Sequence, residues 1–152
     1  MGRLTVMTLG VALLLTGCAQ KRVGIPVAAA DPGKSKFVAH CAGCHVIDAV
    51  TTGYAPTLEG AAWVTGPEGW LVRIVLHGVG GPIKVAGTTH NLSMPGFESI
   101  LTDAEIAAVV SYARNRFGGI STPVSAATVR QIRAANQGRS EYWTATELLS
   151  LQ

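Results

Sequence analysis

Hydrophobic positions in this chain fall first into one continuous run and then into stretches spaced as on helices. Met1 to Thr16 carries a single positive residue, Arg3, followed by the apolar run Leu4 to Leu15. That run is too short to span a bilayer and has the form of a signal-peptide core. Asp31-Pro32 places a cap residue before a proline suited to the first helical position. On the helix it opens, Phe37 and Cys41 are four apart, with Val38 and Cys44 on adjacent positions, so Cys41 lies at its inner end. After the turn Thr65-Gly66-Pro67, the spacing predicts a second helix over Glu68 to His77, with Trp70, Leu71, Ile74 and Val75 as its core face and Gly78 as its stop. Thr102-Asp103-Ala104-Glu105 is a capping box that opens a third, with Ile106, Val109, Val110, Ala113 and Phe117 on one face. Its charges suit the macrodipole, with Asp103 and Glu105 in the first turn and Arg114 and Arg116 in the last, and Gly118-Gly119 ends it.

Two shorter helices complete the pattern. Ser125 to Ala135 turns Val129 and Ile132 inward, and a second capping box, Thr144 to Glu147, precedes Leu148 and Leu149. Tyr142 and Trp143 read as anchors that pin this tail to the rest. Gly78 to Ile100 is the longest stretch without helical periodicity. Pro82 to Val85 and Asn91-Leu92, around Ala86-Gly87-Thr88-Thr89, suggest a small β-hairpin before the loop Met94-Pro95-Gly96-Phe97. The chain thus reads as mainly α, with no internal repeat and no second domain.

The 152 residues suit one domain plus a leader. The formal charge of +3 comes from Arg3, Lys21 and Arg22, which precede the first acid, Asp31; from there nine basic residues balance nine acids. A neutral domain has no electrostatic footprint for nucleic acid. Five arginines and no acid between Ile106 and Ser140 could form a docking patch for an acidic partner or simply a solvated face.

The apolar leader ends in Leu15-Thr16-Gly17-Cys18, which resembles the lipobox of bacterial lipoproteins, cut before a cysteine that becomes lipidated. The expectation is a signal peptide over 1–17, a lipidated Cys18 with a tether over 18–30, and a domain over 31–152. Stable anchoring takes more than one acyl chain, as that modification provides. The twelve residues Ala19 to Ala30 reach on the order of 40 Å when extended. Ala19 after the cysteine, rather than an aspartate, resembles the signal for the outer rather than the inner membrane. An ordinary cleavage site with an incidental cysteine is the alternative.

Cys41-Ala42-Gly43-Cys44-His45 carries the chemistry. C-x-x-C-H reads as a covalent attachment site for one c-type haem: two thiols on one turn can each bond a porphyrin vinyl group, and the following imidazole lies beneath the iron. That ring's other nitrogen needs an acceptor to fix its tautomer. A redox dithiol, half a zinc site or a plain disulfide would be the alternatives. No second C-x-x-C or H-x3-H pair supplies the remaining zinc ligands, and no βαβ pattern surrounds the motif. Beyond the leader the chain holds one methionine, Met94.

With these motifs in place, Asp31 to Phe117 resembles a class I cytochrome c, with the tail as an appendage. The resemblance implies the cytochrome c fold, helices packed around a covalent haem. It also implies that Gly33 and Phe37 cross Val109 and Tyr112, that the proline carbonyl of Tyr54-Ala55-Pro56 accepts the proximal imidazole N–H, and that His45 and Met94 ligate the iron. Leu76-His77-Gly78, Gly81-Pro82-Ile83, Met94-Pro95 and Leu101 to Ile106 together resemble modules associated with periplasmic dehydrogenases, oxidases and nitrite reductases. His90 stands where such modules often carry an aromatic, and it is the rival to Met94 as sixth ligand. His40 reads as a surface or supporting residue, and His77 as a helix C-terminal ring rather than a ligand. The implied function is electron transfer rather than catalysis: a one-electron carrier in a periplasmic or membrane-surface respiratory chain, its domain facing the periplasm, partnered by redox proteins such as a dehydrogenase, oxidase or reductase. The alternatives are the haem subunit of a dehydrogenase or oxidase complex, or a haem sensor or enzyme with an open distal position.

Overall fold

A computed structural model describes residues 1–2, 31–45 and 54–151. The leader from residue 3 on, Cys18 and the tether lie outside the described residues. Six helices and one hairpin follow in order: α1 (Pro32–His40), α2 (Ala62–Thr65), α3 (Glu68–His77), β1 (Pro82–Val85), β2 (Thr88–Asn91), α4 (Asp103–Gly118), α5 (Ala126–Ala135) and α6 (Ala145–Leu149). Asp31 caps α1 by accepting from the N–H of Gly33 at 2.8 Å, and both capping boxes, Thr102 with Glu105 and Thr144 with Glu147, are closed. Hydrogen bonds to the carboxylates hold both glutamates at a pKa of about 2, Lys36 being the main partner of Glu105 and the Thr144 N–H that of Glu147.

Helices α1 and α4 cross where Gly33 lets their backbones meet. A Cβ at Gly33 would stand 2.8 Å from the Cβ of Tyr112, and no rotamer of a larger residue relieves that. Phe37 fills the crossing, its ring 5.4 Å from both Tyr112 and Phe117. The expected inner faces are buried: Trp70, Leu71, Ile74 and Val75 on α3, and Ile106, Val109, Val110, Ala113 and Phe117 on α4. In α1 the expectation fails for Val38, which is half exposed, because the helix presents only Gly33 and Phe37 to the core.

The hairpin exists but is tighter than expected. Thr88 and Thr89 belong to β2, paired with Val85 and Lys84, which leaves Ala86-Gly87 as a two-residue turn. Both turn residues have positive φ, 49° and 83°, the twist that fits antiparallel strands. Alternation along β1 sends Ile83 and Val85 into the core. The one-turn helix α2 is a further element that periodicity did not disclose; Trp63 on it donates to the Lys84 carbonyl at 3.0 Å and ties it to the hairpin.

In the arginine-rich segment Arg114, Arg133 and Arg139 are buried or half-buried in bonds within the fold, whereas Arg130, 3.5 Å from Asp103, and Arg116 keep exposed side chains. Buried Arg114 donates to the carbonyls of Val64 and Gly66 at 2.9 and 2.7 Å, closing the C-terminal end of α2. Arg133 binds Asp103 Oδ1 at 2.8 Å and the carbonyls of Glu98 and Leu101 at 2.7 and 2.9 Å, which locks α5 to the start of α4. Arg139 reaches Glu147 at 2.9 Å, and Arg116 reaches Glu59 at 3.4 Å. Charge without nearby acids in sequence is thus spent on distant carbonyls and carboxylates. Trp143 anchors the tail at 5% exposure, whereas Tyr142, expected to do the same, lies 45% exposed on the surface.

Candidate haem site

The C-x-x-C-H motif is a turn wound onto the end of α1. Cys41 N–H donates to the Phe37 carbonyl at 2.8 Å, and the N–H groups of Cys44 and His45 return to the Cys41 carbonyl at 3.1 and 2.8 Å. This winding brings both sulfurs and the imidazole to one cleft. Cys41 is buried and Cys44 exposed, and both thiols are free. Burial, with the neighbouring Cys44 second, pushes the Cys41 thiol up to about 11.

His45 is held from behind. Its Nδ1–H donates to the Pro56 carbonyl at 3.2 Å. Burial favours the neutral ring and lowers its pKa, while the Pro56 bond works in the opposite direction. A neutral imidazole whose proton sits on Nδ1 keeps its Nε2 lone pair for a metal.

The cleft encloses about 1230 Å³, its open mouth included. Its walls are almost wholly apolar: Leu71, Ile74 and Val75 from α3, Ile83 and Val85 from β1, and Val109, Val110 and Ala113 from α4. Met94, half-buried, lies on the wall contributed by Leu92 to Phe97. Its backbone is paired with Val79 in both directions, Met94 N–H to the Val79 carbonyl at 2.8 Å and Val79 N–H to the Met94 carbonyl at 3.1 Å.

The other histidines fall elsewhere or play other parts. His90 sits in β2 opposite Ile83 and does not line the cleft. His77 is buried with Nδ1 3.3 Å from Glu98 Oε2, and burial lowers its pKa. His40 does line the cleft, its ring edge-on to Phe97 with centroids 6.0 Å apart. The wall residues Val79, Ile83 and Val85 escaped notice as site residues; the alternation of Ile83 and Val85 along a short strand was the one signal that could have marked two of them.

These residues fit a haem. Among the described residues no three of His, Cys, Asp and Glu converge as a metal cluster. A flat apolar macrocycle that carries its own metal ligands suits these walls. Two thiols and one oriented imidazole are what covalent attachment of such a group takes from the protein.

Comparison with known proteins agrees. A family model described as Cytochrome c matches residues 30–116. The chain is similar to cytochrome c-552 of Thermus thermophilus, 31% identical over 121 residues that cover 73% of this chain and 80% of that protein. It is also similar to the gluconate 2-dehydrogenase cytochrome c subunit of Pantoea cypripedii, 34% identical over 72% of this chain and 26% of that protein. With the fructose dehydrogenase cytochrome subunit of Gluconobacter japonicus it shares 33% identity over 69% of this chain and 22% of the other. The chain thus spans about a quarter of each dehydrogenase subunit.

Proposed function

The chain belongs to the cytochrome c family, electron-transfer proteins with covalently attached haem c, and we propose that it is a one-electron carrier with His45 and Met94 as axial ligands. The single observation behind this reading is that one apolar cleft collects Cys41, Cys44, His45 and Met94. When bound, haem supplies an iron that cycles between ferric and ferrous states. Cys41 and Cys44 would hold it by thioethers. Pro56 keeps the His45 ring at a fixed angle and tautomer. The apolar walls exclude water, and Met94 would give the iron its second protein ligand and so leave no open position for small molecules. The redox partners we propose include a dehydrogenase, since two relatives are named as dehydrogenase cytochrome subunits.

The purified wild-type protein tests this reading. Ferric protein should be low-spin with the weak near-infrared band of sulfur-to-iron charge transfer, and ferrous protein should resist carbon monoxide near neutral pH. A high-spin haem that binds carbon monoxide readily would replace the carrier with a sensor or enzyme.

The same proposal places the domain, residues 31–152, on an exported lipid anchor at Cys18, with the outer membrane as its site. Leu15-Thr16-Gly17-Cys18 after the apolar run supports it. Among the described residues no helix is long and apolar enough to cross a membrane. Mature protein is expected to begin at a diacylglyceryl-modified, acylated Cys18 and to partition with membranes, whereas Cys18→Ser should release it. Mass spectrometry of the N-terminus decides; an unmodified terminus after Ala30 would rule the anchor out.

A further inference from the structure

The tail beyond the family match, from Phe117 onward, bonds to the strip that carries Met94. We infer that this extension positions Met94: the segment around Trp143 is a strap that holds the methionine loop through the backbone of Val79. The inference rests on Met94 being the sixth ligand.

Gly78-Val79-Gly80 is a short strip with two bonded edges. On one edge Val79 exchanges both backbone hydrogen bonds with Met94; on the other, Trp143 N–H donates to the Gly78 carbonyl at 3.1 Å and Gly80 N–H donates to the Trp143 carbonyl at 2.9 Å. Within Ser93-Met94-Pro95-Gly96 the Met94–Val79 pair supplies all the backbone hydrogen bonds among the described residues, Pro95 having no N–H to give; the next fixed points are Phe97 and Glu98, whose N–H groups donate to the carbonyls of Val75 and Leu76 at 2.9 and 3.0 Å. The strip itself is flanked by two glycines, Gly78 at φ 80°, and glycine backbone is the least restricted of any. Deprived of its outer edge, the strip would hold Met94 against a backbone free to shift.

The glycines are there for close approach. A Cβ at Gly78 would stand 2.8 Å from Tyr142 Cδ1, and one at Gly80 would stand 3.0 Å from Tyr142 Cδ2. Exposed Tyr142 is thus a cover laid on the strip, and buried Trp143 is the peg. The Arg139 guanidinium lies 3.6 Å from the Trp143 ring centroid and closes the strap on itself, donating to the carbonyls of Glu141 and Tyr142 at 2.9 and 3.0 Å and to Glu147 at 2.9 Å.

The test is Trp143→Ala in the full-length haem-loaded protein, with Trp143→Phe as the conservative variant. Both should keep covalent haem and helical content. At temperatures well below unfolding, Trp143→Ala should lose much of the sulfur-to-iron band and bind carbon monoxide roughly tenfold more tightly when ferrous, within the range of energetically coupled sites. Trp143→Phe should restore both. An unchanged band and carbon monoxide affinity in Trp143→Ala, with wild type showing the band, overturns the strap alone. A wild type without the band overturns Met94 ligation and the strap together. Amide hydrogen exchange of the wild type gives a readout that needs no variant: Met94 and Trp143 amides should open together, and Met94 opening while Trp143 stays protected contradicts the inference.

Discussion

Replacing Cys41 and Cys44 together with alanine is expected to abolish covalent haem and leave a largely unfolded chain. The thioethers alone should survive denaturation, because the bonds proposed from His45 and Met94 to the iron would dissociate when the fold opens. Denatured wild type should keep its haem through acid–organic extraction, and the double variant should lose it. The fold should follow the cofactor. Eight apolar side chains from α3, β1 and α4 face the cleft, and burying one is worth about 2 kcal/mol. Wetting four or five of them would cost on the order of 8–10 kcal/mol, comparable with the whole net stability of a domain. Circular dichroism and the extraction assay check the two halves separately. Haem that extracts freely from denatured wild type would end the thioether assignment.

Met94→Ala is expected to change the iron's chemistry while leaving its attachment intact. A thioether is a soft ligand that favours ferrous over ferric iron, so its loss should lower the reduction potential by on the order of 100 mV, a fraction of the span that axial ligands control. The near-infrared band should vanish, and ferrous protein should bind carbon monoxide. His90→Ala should leave all three properties as in wild type, since His90 stands in β2 opposite Ile83 and off the cleft wall. Potentiometry and carbon monoxide titration of the two variants form the comparison. The reverse pattern, a silent Met94→Ala and a high-spin His90→Ala, would give the ligand to His90.

Much of this site is legible because its parts are close in sequence. Two thiols and an imidazole within five residues define their chemistry before anything folds, and the turn that gathers them is wound by bonds within Phe37 to His45, with one more from the Ala55 N–H to the Cys44 carbonyl at 3.2 Å. The capping boxes at Thr102 and Thr144 are likewise local, as are the faces of α3 and α4, because helical spacing repeats within a few residues. The hairpin showed faintly: β1 alternates, but Thr88 and Thr89 resemble turn residues, and only pairing with Val85 and Lys84 makes them strand.

What charge and aromatic residues do was a matter for the tertiary structure. Arg114 meets carbonyls 50 and 48 residues away, and Arg133 meets Asp103 across 30. A guanidinium run in sequence carries no sign of such partners, since a carbonyl is present at every residue and only the fold says which are left over. The same holds for Trp143: its sequence marks a buried anchor, but that it abuts Gly78 and Gly80, and through Val79 reaches Met94, follows from bringing three segments together. The sequence by itself determined which atoms could bond a haem, because that rests on residue type and short spacing. The tertiary structure decided which of Met94 and His90 faces the cleft, because that depends on how a loop without periodicity is paired to Val79, outside either strand, while His90 is paired within the hairpin.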